Sequence, residues 1–338
     1  MRSKAPVFVL GCPRSGTTLL YHMLLSSGSF AVYQTESEAF GLLGRRFGNL
    51  KHRGNRQRLL DIWFRSKLFR RSGLERQEIE QRILEECRNA GDFLRLLMET
   101  VARKQGVERW AETTPEHLLY LPLVKKLIPE ALIIHVIRDG RDVALPLDKI
   151  GWVRPLPGDR HRSLVVAALF WKWMVERGRR YGRAMASDYM EVRYERLVTS
   201  PRETLAELGC FVEHELDYER IQRVALGSVR SPNSSFKNSE GKDLSPVGRW
   251  KAILPATEAA LIENAIGDLL QELEYPLATS VGKAAPAFRA RLMRAVYPAV
   301  FGAKFWLKSS TPLGRFARMN RIIIADEAAP VDGHANVA

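Results

Sequence analysis

The sequence predicts an α/β protein: a parallel β-sheet flanked by helices, with a helical insertion and a basic C-terminal extension. Residues 6–11 (PVFVLG) form a short, continuous apolar run ending at glycine, the pattern of a strand buried on both faces. Residues 131–137 (ALIIHVI) form a second such run, rich in β-branched side chains. Around these two, strand-like and helix-like segments alternate, which calls for parallel pairing through crossover helices.

The elements follow in order. After the first strand comes a Gly/Pro/Ser-rich turn and then a helical pattern over 17–26. Residues 42–106 read as polar and helical, with Trp63, Phe64, Leu68 and Phe69 supplying an apolar face, and are expected as an insertion over the sheet. Residues 115–127 are expected as a helix and 131–137 as a central strand. Arg138-Asp139-Gly140 then turns the chain into a helix starting near Arg141. A long helix over 165–181, a strand over 189–194 and a helix from about 201 to 208 complete the α/β pattern. The expected division is a main domain over 1–280 and an extension with a tail over 281–338.

Charge is concentrated rather than spread. The chain of 338 residues carries a net charge of +14. Residues 45–76 hold 11 basic side chains against Asp61 and Glu75, and residues 283–321 hold nine with no acid. The remainder is slightly acidic, so a general nucleic-acid footprint is excluded and no nucleic-acid partner is expected. In the second basic segment Phe288, Phe301, Phe305, Trp306 and Phe316 stand among the cations, a mixture suited to peripheral contact with a membrane or to a lid over a lipid or anionic acceptor. Pro286, Pro298 and Pro312 are expected to interrupt any long helix there. The three cysteines, Cys12, Cys87 and Cys210, are far apart in sequence, with neither a disulfide framework nor metal-ligand spacing. A reducing, cytoplasmic setting and no metal follow as expectations. No window reaches the roughly 20 apolar residues that a membrane span requires.

The strongest chemical signal is Gly11-Cys12-Pro13-Arg14-Ser15-Gly16-Thr17-Thr18. A strand feeding a tight loop and a helix N-terminus gathers backbone N–H groups and the positive end of the helix dipole on one small surface, which favours an anion. The loop is close to a nucleotide-binding P-loop, but Thr17 stands where that motif has lysine, and the cation comes from Arg14 instead. Hydrolysis of ATP or GTP is therefore disfavoured.

PVFVLGCPRSGTTLL resembles the 5′-phosphosulfate loop of the sulfotransferases that use 3′-phosphoadenosine 5′-phosphosulfate (PAPS), nearest the branch of bacterial and tyrosylprotein enzymes. The resemblance implies a P-loop-NTPase-like sheet, PAPS as co-substrate and 3′,5′-adenosine bisphosphate (PAP) as product. By it, Arg14, Ser15, Gly16, Thr17 and Thr18 hold the 5′-phosphosulfate, and Arg14 also stabilises charge on the bridging oxygen. IIHVIRDGRDVA resembles the family's 3′-phosphate motif, with Arg138 as the phosphate ligand. In VRYERLVTSP, Tyr194 resembles a nucleotide-contacting tyrosine. Ser234 with Arg249-Trp250-Lys251 resembles the residues placed around the 3′-phosphate. The likeness spans roughly residues 5–270.

Two positions depart from the pattern. Pro146 stands where the family has a 3′-phosphate serine, and Thr113, in WAETTPEHL, replaces the lysine that assists transfer. For the base that takes the acceptor's proton, the resemblance points to Glu36, with Glu38 two residues on as the alternative and His117 as the other candidate. Glu112 reads as a structural ion-pair partner. The expected activity is in-line transfer of a sulfuryl group to a hydroxyl or amine of a small-molecule, carbohydrate or lipid acceptor. Two alternatives stay open: a P-loop kinase-like phosphotransferase, opposed by Thr17, and a non-catalytic nucleotide- or membrane-binding family member, which Thr113 and Pro146 keep open.

Overall fold

The computed structural model describes residues 2–230, 245–278 and 288–316. Five strands make one parallel sheet in the order β2-β3-β1-β4-β5: β1 (Val7–Gly11), β2 (Phe30–Ala31), β3 (Arg109–Glu112), β4 (Leu132–Ile137) and β5 (Tyr189–Arg193). β1 and β4 run in register from Val7 beside Leu132 to Gly11 beside Val136, and every residue of both is buried. Alternation sends Phe8, Leu10 and Ile133 to one face of the sheet and Val7, Val9 and Ile134 to the other, each into its own apolar core. That two-sided burial is why both sequences read as unbroken apolar runs. Gly11 ends β1 because a Cβ there would sit 2.6 Å from the Val136 carbonyl oxygen.

Helix α1 (Thr17–Ser26) leaves the loop after β1 and packs on the second core. The insertion then supplies α2 (Arg53–Trp63), α3 (Lys67–Ser72), α4 (Arg76–Glu86) and α5 (Ala90–Lys104). Ser66 caps α3 by accepting from the Phe69 N–H, and the Asn89 side chain caps α5 by accepting from Gly91 and Asp92. Trp63 is fully buried, with edge contacts to Phe69 and Phe93 at ring separations of 4.9 and 5.3 Å. These helices cover the first core, as the aromatic pattern predicts.

Beyond them, α6 (Leu121–Leu127) precedes β4, α7 (Gly140–Ile150) follows it, and α8 (Ser163–Gly182) leads to β5. The strand β3 and the two-residue β2 have no counterpart in the sequence reading; both are shorter than the apolar runs that mark strands. Pro146 lies inside α7. A last helix, α9 (Phe288–Ser310), runs straight through Pro298, against the expectation that proline breaks it. Its packing holds it together: Phe301 meets Phe170 edge-on and Trp173 at a tilt, both on α8, and Tyr297 donates to Asp159. The extension is thus docked on the main body. Among the described residues no helix is long and apolar enough to cross a membrane.

Candidate active site

The carboxyl ends of β1, β4 and β5 meet at one point, and each delivers a part of the site. After β1 the backbone takes left-handed conformations at Arg14 (φ 74°) and Gly16 (φ 95°), on either side of Ser15. Such an alternation turns successive N–H groups toward one concave surface, and α1 begins there at Thr17 with its dipole aimed into it. For arginine a positive φ is uncommon. Local geometry is set here by the anion nest rather than by residue preference. The Ser15 hydroxyl is fully buried and has no hydrogen-bond partner among the described residues, which leaves a donor available at the loop.

After β4, Arg138 lies with its guanidinium carbon 4.3 Å from the ring centroid of Tyr194, the residue that follows β5. Its Nη2 donates to the Pro246 carbonyl at 2.6 Å, while Nε is buried with no partner among the described residues. The Tyr194 ring also presses on the loop: a Cβ on Gly16 would come within 2.2 Å of its Cδ2. Arg249 is carried in by the chain before α10 (Trp250–Ile253). Asp142 holds that turn, accepting from the N–H groups of Gly248 at 2.9 Å and Trp250 at 2.8 Å. Arg138 and Arg249 lie beside Tyr194, and Arg14 is close enough to Arg138 to feel its charge. Burial, and then the charge of Arg138, hold both Arg14 and Arg249 below the ordinary arginine range. Three converging cations with a buried unpartnered hydroxyl form a site for a multiply charged anion. Ser234 lies outside the described residues.

Beside the loop opens a cavity of about 410 Å³ walled by Pro13 and Thr18 from the loop region, by Glu36 and Glu38, by Thr113 and by Lys67 and Arg71 of α3. Glu36 faces its lumen. Glu36 stays exposed at the cavity mouth, yet partial loss of its water to the cavity walls, reinforced by the charges of Glu38, Glu112 and Glu116, pushes its carboxyl up to about 7. Thr113 donates to the Val9 carbonyl at 3.2 Å and brings no charge to the wall. Lys67 and Arg71 were not singled out from the sequence; the only signal for them was the basic cluster over 45–76. His22 also lines the cavity, its Nδ1 accepting from the Ser228 N–H at 2.9 Å, and burial holds it below the ordinary histidine range.

His117 lies elsewhere. It is fully buried, Nδ1 bonding Glu112 at 3.2 Å and Nε2 accepting from the Phe40 N–H at 3.3 Å, so both ring nitrogens are engaged and neither reaches the cavity. Its candidacy as base, which the resemblance to sulfotransferases with a histidine near this segment implies, finds no support in this packing. Glu112 accepts from Ser37 and Thr114 as well. Burial alone would raise the Glu112 carboxyl, but attraction from His117 and these hydrogen bonds more than offset it and leave it below the usual carboxylate range. Ser37 and Glu38 N–H groups in turn donate to Thr114, so this buried cluster anchors the backbone that carries Glu36.

The carboxyl ends of a P-loop-like parallel sheet converge here on a positively charged loop, an arrangement chemically suited to an anion. A model of the sulfotransferase family matches residues 6–218, and the chain belongs to that family. The search of curated proteins found no match. Among solved structures, the sulfotransferase domain of the Synechococcus PCC 7002 olefin synthase superposes with a TM-score of 0.52 at 20% identity, over 80% of this chain and 95% of that one. The sulfotransferase domain from the curacin biosynthetic pathway gives 0.56 at 18% identity, over 81% and 98%. These likenesses establish the fold.

Proposed function

We propose that the protein transfers a sulfuryl group from PAPS to a hydroxyl or amine of its acceptor, with Glu36 as the base. One observation carries this reading: the cavity that holds Glu36 is walled by Pro13 and Thr18, so base and anion nest share a boundary. Arg14, Ser15, Gly16, Thr17 and Thr18 bind the 5′ end of the nucleotide, Arg138 and Arg249 its 3′-phosphate, and Tyr194 packs between these two groups of ligands. PAPS, when bound, supplies the sulfuryl group to be displaced. Arg14 stabilises the charge that grows on the departing side. Glu36, with a pKa near neutrality, is matched to taking the acceptor's proton. Lys67 and Arg71 supply positive charge where Thr113 has none.

Calorimetric titration tests the nucleotide assignment, with PAP against ATP as control. PAP binds selectively, and Arg14→Ala and Arg138→Ala each lose it. Binding of ATP alone, or of neither nucleotide, overturns the reading.

The same reading takes the protein as cytoplasmic with peripheral membrane contact through 283–321. Its support is the outer face of α9, where Leu292, Val296, Trp306 and Leu307 are exposed in a segment free of acidic residues. Cosedimentation with vesicles containing anionic lipid, lost in Trp306→Asp, tests it; equal sedimentation of both proteins rejects it.

A further inference from the structure

A second cavity, about 340 Å³, lies between α9 and the main body. Its walls are mostly apolar, with Leu119, Leu147, Phe170, Trp173, Phe301 and Phe305, and carry Glu116, Arg154, Lys304 and Lys308 among them. Residues 301, 304, 305 and 308 fall on one face of α9, so the helix presents Phe301 and Phe305 inward with Lys304 and Lys308 beside them. Three features fix this wall in place. Tyr297 donates to Asp159, Lys304 donates to the Pro155 carbonyl at 2.8 Å, and Lys308 pairs with Glu116 at 3.5 Å. The cavity shares Pro13, Glu116 and Trp152 with the cavity that holds Glu36. An aromatic chamber therefore adjoins the point of transfer, within the size range of small-molecule sites, about 300–1,000 Å³. Its α9 wall lies beyond the residues that the family model matches.

We infer that this chamber binds the apolar body of an amphiphilic acceptor, whose hydroxyl then reaches Glu36 across the shared wall. The inference rests on the sulfotransferase reading and narrows its acceptor to an alcohol with an alkyl or aryl body. A sugar presents far less apolar surface to these walls than an alkyl or aryl body does and gives up more hydrogen bonds to water on entering. The arrangement also explains why α9 persists through Pro298: its inner face is a wall of the site, held by packing.

The test uses dodecanol as the amphiphile and glucose as the polar counterpart, read by tryptophan fluorescence and calorimetry, with PAP binding measured separately on the same samples. Dodecanol binds the full chain and glucose does not. Phe305→Asp, and the milder Phe305→Ala, weaken dodecanol by at least about tenfold while PAP affinity stays unchanged. Failure of dodecanol to bind while PAP binds overturns the inference alone, as does equal dodecanol binding by all three proteins. Failure of PAP to bind overturns the sulfotransferase reading, and the dodecanol result then decides the chamber independently.

Discussion

Tyr194 and Gly16 touch so closely that no side chain fits between them: a Cβ on Gly16 would lie 2.2 Å from Cδ2 of the tyrosine ring. The contact ties the end of β5 to the loop after β1, and the other side of the tie is Arg138, stacked on the same ring. Gly16→Ala therefore displaces Tyr194 and strains a backbone held at φ 95°. The expected result is loss of PAP affinity by at least about tenfold with the protein still folded, checked by calorimetry beside circular dichroism. Tyr194→Ala in the same background relieves the clash and recovers part of the loss. Unchanged affinity in Gly16→Ala would mean that the loop does not hold the nucleotide.

Asp142 acts one step further out. Its carboxylate accepts from both Gly248 and Trp250 and so sets the turn that carries Arg249 to Arg138. Asp142→Ala frees that turn. Each hydrogen bond to a charged group is worth about 1.5–3 kcal/mol, and part of this appears as weaker PAP binding. PAP affinity is expected to fall while ATP remains a non-ligand, and added Arg249→Ala should cost little more, because the two changes remove one positioning effect. Full additivity in this double-mutant cycle would separate Asp142 from Arg249.

The legibility of the molecule divides along physical lines. The strands at 7–11 and 132–137 were readable because burial on both faces leaves only apolar residues, and the anion loop because glycine, serine and threonine sit at the strand-to-helix junction. β3 was not readable: four residues including Arg109 and Glu112 carry no apolar run, and only pairing with β1 and β2 makes them a strand. Arg109 is nonetheless buried, donating to the Ala5 and Val212 carbonyls. The continuity of α9 was hidden because Pro298 is a local signal, whereas the packing of Phe301 on Phe170 and Trp173 comes from distant segments. Site membership shows the same limit. Glu36 and His117 were both plausible in one dimension, and only the fold turns one to the cavity and the other into Glu112. The basic cluster over 45–76 reads in sequence as part of the acceptor wall, and it takes α3 to single out Lys67 and Arg71 as the two that line the cavity with Thr113.

That juxtaposition yields a third prediction. If Lys67 and Arg71 supply the positive charge missing at Thr113, then Thr113→Lys changes turnover little, whereas Lys67→Ala with Arg71→Ala lowers it by roughly 10–10³-fold, the scale of losing electrostatic stabilisation at a developing charge. Steady-state rates with a saturating acceptor check both. A large gain in Thr113→Lys from near-zero turnover would instead mark the natural protein as a nucleotide binder that has lost transfer.

Glu36 gives two independent signs with pH. As a base it must be ionised, so kcat/KM rises with pH and levels off above about 7. Glu36→Gln removes that limb and lowers the rate by roughly 10²–10⁴-fold, while Glu38→Gln keeps the limb. The stability change runs the other way. The folded carboxyl is raised from an ordinary value of 4.5 to about 7, so between these values the folded protein holds a proton that the unfolded chain has released. Stability therefore falls as pH rises through this window, and the full cost of ionising this carboxyl beside its acidic neighbours is present above it. Glutamine carries no such charge, so Glu36→Gln should match the natural protein in denaturant melts near about pH 4 and exceed it near about pH 8. A variant that keeps its pH–rate limb would move the base to Glu38 or His22. One that loses the limb but gains no stability at high pH would leave Glu36 as the base with a carboxyl less perturbed than its surroundings require.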